Sequence, residues 1–207
     1  RQRGQGATTQ IVGGILVVLG IIVAVLLGIF AQKLASSLPV NGDGTFKACS
    51  FISNTQVESV IGSGAVAFPL DGFLGDIIKA PVDERLLKNA DDCWILSDPN
   101  TTDTGTFGRI ARQDDGNAAS TFASAKSAGK GTYYGSDQPG LGDEAFCTGG
   151  GEGLGYGVFA RKGNTLVFVS LFDATALAQD SGTTGDGVQY SQAICDLSSQ
   201  LAAQILH

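Results

Sequence analysis

The chain has 207 residues and a formal net charge of −7, and 43% of its residues are hydrophobic. All twenty acidic side chains follow Lys33, whereas Arg1 and Arg3 precede it. The part of the chain after Lys33 is therefore more acidic than the chain as a whole. An acidic surface repels phosphate groups, which argues against nucleic acid as a partner and against adhesion to anionic lipid headgroups.

The first predicted element is a membrane anchor. Residues 11–31 contain no charged or strongly polar side chain. A helix of that length rises about 30 Å, which matches the hydrocarbon core of a bilayer. A cleaved signal peptide is the alternative, but its apolar run spans about 7–15 residues, and a poor cleavage site follows here. We expect a cytoplasmic segment over residues 1–10, an uncleaved anchor over 11–33 and a linker over 34–47.

The orientation of the anchor follows from the charges beside it. Arg1 and Arg3 stand before the apolar run and Lys33 alone stands after it, so the positive-inside rule places the N-terminus in the cytoplasm. The four cysteines all follow the run, and disulfides persist outside the reducing cytosol. We therefore expect a single-pass protein of the cell membrane, with residues 48–207 forming an extracytoplasmic domain.

Three small residues of the anchor, Gly20, Ala24 and Gly28, recur at every fourth position. Small residues at this spacing lie on one helix face and let a second helix approach closely. The alternative is that glycine is simply common in membrane helices. The spacing predicts membrane protein subunits as partners, in addition to the lipid bilayer.

The even number of cysteines predicts two disulfides in an extracytoplasmic domain. Four cysteines allow three connectivities, and order along the chain favours Cys49–Cys93 and Cys147–Cys195 because each pair then joins a helix to a nearby strand. The wide spacing and a lone His207 argue against zinc. Asp180 and Asp186 lie in a loop whose spacing matches no standard calcium site, so we expect no metal and no cofactor.

Periodicity within the domain predicts the α+β class, an antiparallel sheet flanked by helices. Ser53 and Gln56 form a capping box for a first helix, and Gly62 suits the position after it. Strands are predicted over residues 93–97, 104–112, 154–161 and 165–172, the last two as a hairpin. Further helices are predicted over 117–128 and 188–206, and residues 132–153 are predicted to be largely loop.

Residues 63–92 include an apolar stretch that is broken by proline and glycine. One interpretation is a core strand followed by a turn. The other is an exposed apolar segment that contacts the membrane surface or a partner subunit. The candidate residues for such a partner surface are Phe68, Leu70, Phe73, Leu74, Ile77 and Ile78.

No catalytic residues are predicted. General acid–base chemistry at neutral pH most often uses histidine, and the single one is the terminal His207. The adjacent carboxylates at 114–115 and at 143–144 are expected to point in opposite directions and to be solvated. The glycine-rich segment 149–155 lacks the Lys-Ser/Thr ending of a phosphate-binding loop and leads into a predicted strand.

Three motifs together resemble a known group of proteins. They are Cys-Ser-Phe-Ile at 49–52 before the capped helix, Cys-Trp at 93–94, and Gly-Leu-Gly-Asp-Glu-Ala-Phe at 140–146 before the hairpin. Their order is similar to small actinobacterial cell-envelope domains, including uncharacterised lipoproteins and the extracytoplasmic sensor domains of mycobacterial serine/threonine kinases. The resemblance spans residues 49–206 and implies a disulfide-containing sheet flanked by helices and a role in binding or sensing.

These observations predict a non-catalytic accessory subunit of a membrane protein complex, of the respiratory or envelope type. The first alternative is a solitary ligand-binding or sensor domain, which predicts a closed pocket between the sheet and its helices. A more remote alternative is an envelope hydrolase that uses carboxylates.

Overall fold

The computed structural model describes residues 49–68, 86–87, 90–97, 106–149, 156–172, 182–185 and 187–207. These residues belong to the compact unit Pro39–His207, one of two into which the chain divides. Within the described part, no helix has the length and hydropathy needed to cross a membrane. The predicted anchor with Gly20, Ala24 and Gly28 lies outside the described residues, as does the linker, and both stay predictions.

The described residues form an antiparallel sheet with helices, which is the α+β class that was predicted. The strands are β1 Val66–Phe68, β2 Asp91–Leu96, β3 Phe107–Asp114, β4 Tyr134–Asp137, β5 Glu144–Thr148, β6 Tyr156–Lys162, β7 Thr165–Phe172, β8 Gly182–Thr183 and β9 Gln189–Tyr190. The described helices are α1 Asn54–Ile61, α2 Ala118–Gly129 and α3 Gln192–Ile205. Seven strands form one antiparallel sheet in the order β1-β2-β3-β7-β6-β5-β4, and β8 pairs with β9.

Different helices pack on the two faces of the sheet. Successive residues of a strand point to opposite faces, so Val158 and Phe159 of β6 enter separate cores. Val158 lies on the face against which α3 packs, and α1 packs on α3 and β1. Phe159 lies on the other face, where its ring stacks on Phe122 of α2 with the centroids 5.4 Å apart. The sheet is therefore the middle layer of a three-layer domain.

Two buried disulfides join the sheet to its surroundings, with the connectivity that chain order favours. Cys49–Cys93 ties the segment before α1 to β2, and Cys147–Cys195 ties β5 to α3. All four cysteines are at most 1% exposed. Two disulfides are consistent with an oxidising, extracytoplasmic location.

Local signals at turns and helix ends are confirmed. The Ser53 hydroxyl accepts a hydrogen bond from the Gln56 amide at 3.2 Å, and the Gln56 side chain accepts one from the Ser53 amide at 2.8 Å. Gly62 ends the helix at a φ of 123°, which L side chains rarely adopt. The β6–β7 hairpin turns through Gly163 at a φ of 56°.

Two predictions about the second half of the domain are wrong. Residues 132–153 were predicted as largely loop, but they contain β4 and β5. Both strands have five residues or fewer and are separated by a glycine-containing turn, so neither shows a long alternating pattern. The last helix begins at Gln192 rather than at residue 188, because Ser191 caps it and β9 precedes it.

Candidate functional site

Helix α2 packs over part of one sheet face, and aromatic side chains extend along that face beyond it. Strand register places Phe68 opposite Trp94, Leu96 opposite Phe107, and Phe107 opposite Phe172. Directly opposed residues of antiparallel strands project from the same face. We call these five residues, Phe68, Trp94, Leu96, Phe107 and Phe172, the open aromatic patch.

The centre of the open aromatic patch is a cross-strand pair of phenylalanines. The rings of Phe107 and Phe172 have centroids 5.0 Å apart and an interplanar angle of 32°. Each residue is 44% exposed, and within the described part of the chain they are the large hydrophobic residues that remain exposed. Phe68, Trp94 and Leu96 beside them are half-buried. An aromatic surface of this kind marks a candidate interaction site.

A bidentate ion pair lies on the same face, next to the aromatic rings. Arg109 stands opposite Trp94 in the register, and its Nε donates to Asp92 Oδ1 at 2.6 Å. A second, shorter hydrogen bond joins Arg109 Nη2 to Asp92 Oδ2. The side chains are 15% and 28% exposed, so the contact is largely screened from water. The patch is therefore apolar, and the charges of Arg109 and Asp92 beside it neutralise each other.

The edge strand beside the patch is already capped. Asn54 at the start of α1 accepts a hydrogen bond from the Ala67 amide at 3.1 Å. An edge strand binds an added strand through its outward amides and carbonyls. Since the Ala67 amide is occupied, a partner is expected to contact this region through the side chains of the face rather than by strand addition.

The opposite end of the sheet carries a charged cluster arranged around Arg161. Its Nη1 donates to Asp143 Oδ2 and its Nε donates to Glu144 Oε2, both at 3.0 Å. Asp143 also accepts from the Gly163 amide at 2.8 Å. Asp143 and Glu144 were predicted to point apart into solvent, but one arginine holds both. Their contacts join the β6–β7 hairpin to the turn before β5.

The carboxylates at 114 and 115 also have structural partners. The hydroxyl of Thr165 donates to Asp114 and is the main reason that the pKa of Asp114 lies below its ordinary value. The Asn117 amide and then the Thr121 hydroxyl lower the pKa of Asp115, both through hydrogen bonds of 2.8 Å. These contacts stabilise the start of α2 and the β3–β7 pairing.

A surface depression of about 360 Å³ lies between the turn before β5 and helix α3. Its lining includes Leu141, Ser199 and Asp196. Asp196 accepts hydrogen bonds from Gln138 at 3.4 Å and from Gln192 at 2.8 Å. The depression is open to solvent and lies beside α3, which packs on the sheet face opposite to that of the open aromatic patch.

Within the described residues, no three His, Cys, Asp or Glu side chains lie close enough together to hold a metal ion. His207 is exposed at the C-terminus. Asp180 and Asp186 lie outside the described residues. The prediction that the protein has no catalytic residues and no cofactor stays a prediction.

The structure describes one of the six residues that were predicted for a partner surface. Phe68 ends β1 and belongs to the open aromatic patch, whereas Leu70, Phe73, Leu74, Ile77 and Ile78 lie outside the described residues. The sequence analysis missed Phe107 and Phe172. The sequence does contain a signal for their exposure. Arg109 and Ser170 stand two residues from Phe107 and Phe172 on the same face, and polar residues at that spacing indicate a face that is not fully buried.

Comparison with known proteins identified no relative of this chain. No protein-family model matches the chain, and no curated protein and no solved structure matches it. The similarity to actinobacterial cell-envelope domains therefore stays a prediction from the three motifs.

Proposed function

We propose that this chain is a non-catalytic, single-pass accessory subunit of the cell membrane. Its extracytoplasmic domain binds a membrane protein partner through the open aromatic patch. The observation that carries the proposal is the exposed Phe107–Phe172 pair, which lies on a regular sheet face instead of a loop. The similarity to envelope sensor and lipoprotein domains, which implies binding rather than catalysis, supports the same class of function.

The energetic support comes from the apolar area that a partner would cover. A phenylalanine side chain buries roughly 150–250 Å² when fully enclosed. Covering the exposed 44% of Phe107 and Phe172 would thus contribute on the order of 4 kcal/mol at about 25 cal/mol per Å². Ordering and desolvation oppose association, so this term supports a specific contact only when other contacts or confinement assist it.

The predicted tether provides that confinement. A linker over residues 34–47 reaches at most about 50 Å when fully extended. The described chain then begins at Cys49, which is bonded to Cys93, and Trp94 of the patch is the next residue of that strand. The patch therefore stays within reach of proteins in the same membrane, and confinement raises its effective concentration.

The test is co-purification of the full chain from its own membranes in mild detergent, with mass spectrometry of the bound proteins. Substituting Phe107→Thr and Phe172→Thr removes the rings and places a β-branched residue, which favours a strand, at each position. We expect stoichiometric recovery of a defined membrane protein with the unaltered chain and at least about tenfold less with the double variant.

The matched control replaces two exposed serines on the solvent side of α2, Ser124→Ala and Ser127→Ala. This control should retain the partner in full. Recovery of the unaltered chain without any stoichiometric partner, or equal recovery by the Phe107→Thr/Phe172→Thr variant, would contradict the proposed function. Gly20→Leu with Gly28→Leu should also weaken association, which separates the contribution of the anchor from that of the patch.

The second candidate function is a solitary ligand-binding or sensor domain, for which the depression beside Asp196 is the candidate site, although it is open to solvent rather than a closed pocket between sheet and helices. Under that alternative Asp196→Ala abolishes the response to a small polar ligand while the Phe107→Thr/Phe172→Thr variant behaves normally. A carboxylate-based hydrolase receives less support, because Asp143, Glu144, Asp114 and Asp115 all accept hydrogen bonds from neighbouring groups.

A further inference from the structure

We infer that the Cys147–Cys195 disulfide is a thiol–disulfide exchange site, which a dithiol oxidoreductase reduces while the domain stays folded. Reduction releases the two walls of the surface depression from each other. The site lies on the sheet face opposite to the open aromatic patch, so its reduction is independent of the contact proposed there. Three features support the assignment: what the disulfide joins, what covers it, and which polar groups face Cys147.

The disulfide joins the two walls of the depression. One wall is formed by residues 138–141 in the turn before β5, and the other by residues of α3 from Asp196 onwards. Cys147 lies in β5, the strand that this turn enters, and Cys195 lies in α3 next to Asp196. The bond holds the two Cα atoms 5.4 Å apart and therefore limits how far the walls can separate.

One half-buried side chain lies between Cys147 and the open depression. The Oε1 atom of Gln138 is 3.7 Å from the Sγ atom of Cys147, and Gln138 itself lines the depression. Both cysteines are fully buried, so a thiolate reaches the sulfur after the Gln138 side chain has rotated away. Side chains at a surface change rotamer far faster than a domain unfolds. Exchange at Cys147 therefore requires a local movement rather than unfolding.

Polar neighbours orient the Gln138 amide with its oxygen towards the sulfur. Its Nε2 donates to Asp196 Oδ1 at 3.4 Å, and its Oε1 accepts from Gln192 Nε2 at 3.4 Å. A disulfide sulfur carries no hydrogen, so Gln138 and Cys147 are in van der Waals contact in the oxidised domain. A thiol, in contrast, donates a weak hydrogen bond. Reduction thus gives the Cys147 thiol an acceptor that is already in place.

The exchange consists of two balanced steps. A thiolate of the dithiol attacks Cys147 Sγ, the bond to Cys195 breaks, and Cys195 leaves as a thiolate that takes a proton from solvent. The second thiol of the reductant loses its proton to solvent and attacks its own sulfur in the mixed disulfide, which releases Cys147 as a thiolate that is protonated in turn. The reductant becomes a disulfide, and the domain gains two electrons and two protons.

Disulfide mapping during reduction under native conditions tests the inference. The full chain in mild detergent is incubated with excess dithiothreitol, quenched with iodoacetamide at intervals, digested and analysed by mass spectrometry. We expect Cys147–Cys195 to be lost at least about fivefold faster than Cys49–Cys93, whose cysteines do not line the depression. Low urea concentrations should leave the faster rate nearly unchanged, because a local movement exposes little surface.

Two variants of the depression give the matched contrast. Gln138→Ala removes the side chain that covers Cys147 and should accelerate the loss of Cys147–Cys195 at least about threefold, with Cys49–Cys93 unaffected. Gln200→Ala removes an exposed glutamine that lines the same depression and should leave both rates unchanged. Equal rates for these two variants would overturn the inference. Loss of both disulfides together, with rates that rise steeply in urea, would also overturn it, because reduction would then follow unfolding.

Hydrogen exchange measures whether reduction releases the walls. The first turn of α3 is closed by hydrogen bonds from the Ile194 amide to the Ser191 hydroxyl and from the Cys195 amide to the Ser191 carbonyl. Exchange of the Ile194 and Cys195 amides should become several-fold faster in the chain that is reduced and alkylated at Cys147 and Cys195, while the amides of α1 keep their rates. Unchanged exchange in α3 would show that the disulfide does not hold the two walls together.

Discussion

Two aromatic groups occupy one face of the same sheet and differ in what covers them. Under α2, the rings of Phe122, Phe146 and Phe159 pack with centroids 5.4 to 5.7 Å apart and are fully buried. On β3 and β7 of the same face, Phe107 and Phe172 pack as closely as those rings but remain 44% exposed. The two groups share the residue type and differ in cover: the buried group packs with α2, Leu86 and Leu87, whereas Phe107 and Phe172 lie outside that cluster.

The comparison separates residues that hold the fold from residues that are available for function. A ring under α2 contributes to stability because removing it leaves a cavity. A ring in the open aromatic patch contributes less to stability, because nearly half of its surface is exposed. The two groups should therefore respond in opposite ways to substitution, one through unfolding free energy and the other through association.

The largest predicted effect is the contrast between two phenylalanines of this face. Phe159→Ala should lower the free energy of unfolding by about 3–5 kcal/mol, because its ring is fully enclosed. Phe107→Ala should lower it by about 2 kcal/mol, since the ring is already partly solvated. Chemical denaturation of both variants measures the difference. Equal losses would show that the patch is part of the core.

The two disulfides provide a control for the comparison, because one joins a strand of the patch and the other a strand under α2. The cysteines are separated by 44 and 48 residues, so loop closure predicts nearly equal stabilisation, about 4 kcal/mol each. Cys49→Ser with Cys93→Ser and Cys147→Ser with Cys195→Ser should lower unfolding free energies alike. A large difference between the two losses of unfolding free energy would mean that one half of the domain depends less on its disulfide than the other.

The covered half also depends on a buried hydrogen bond that fixes α2. The hydroxyl of Tyr133 donates to the Ala125 carbonyl at 2.7 Å, and Tyr133 is 1% exposed. Tyr133→Phe should lower the unfolding free energy by about 1–2 kcal/mol because the carbonyl loses its buried donor. Association through the patch should not change. Weaker association in this variant would indicate that the two halves are coupled.

The ion pair beside the patch should contribute less. A double-mutant cycle with Arg109→Ala and Asp92→Ala should give a coupling of about 1 kcal/mol in the monomer, since both side chains are largely but not fully screened. A coupling that rises on association would show that the partner excludes water from the pair. A coupling near zero in both states would mean that the pair serves only to keep the surface neutral.

The smallest effect concerns the first turn of α2 and its dependence on pH. The folded-state pKa of Asp115 lies below 3.8 because of its hydrogen bonds with Asn117 and Thr121. Its ionised form therefore adds stability above pH 3.8, and this contribution is lost as the pH falls through the folded-state pKa. Asp115→Asn should lower the melting temperature slightly at pH 7 and leave it nearly unchanged at about pH 2. A difference that grows with acidity would refute this role.

Local signals in the sequence predicted those elements whose residues act through near neighbours. The capping box of Ser53 and Gln56, the hairpin turn at Gly163 and the apolar run of β7 depend on contacts along one segment, so periodicity and turn chemistry identify them. The short strands β4 and β5 were missed because their burial comes from pairing with each other and with β6.

The open aromatic patch is a property of tertiary structure, which explains why only one of its members was predicted. Phe68 was selected because it starts an apolar stretch, whereas Phe107 and Phe172 are 65 residues apart and become neighbours only through β3–β7 pairing. Arg161 is a similar case, since its contacts with Asp143 and Glu144 require the β5–β6 register. Alternation within a strand identifies the face of a residue, but the helix that covers it is determined by packing.

Residue-level footprinting in native membranes measures whether a partner covers Phe107 and Phe172 there. Photochemical carbene labelling, read by mass spectrometry at Phe107 and Phe172, compares the full chain in its own membranes with the purified chain in detergent. The account predicts strong labelling of both rings after purification and several-fold protection in the membrane, with Ser124 labelled equally in both. Equal labelling of Phe107 and Phe172 in the two states would contradict it.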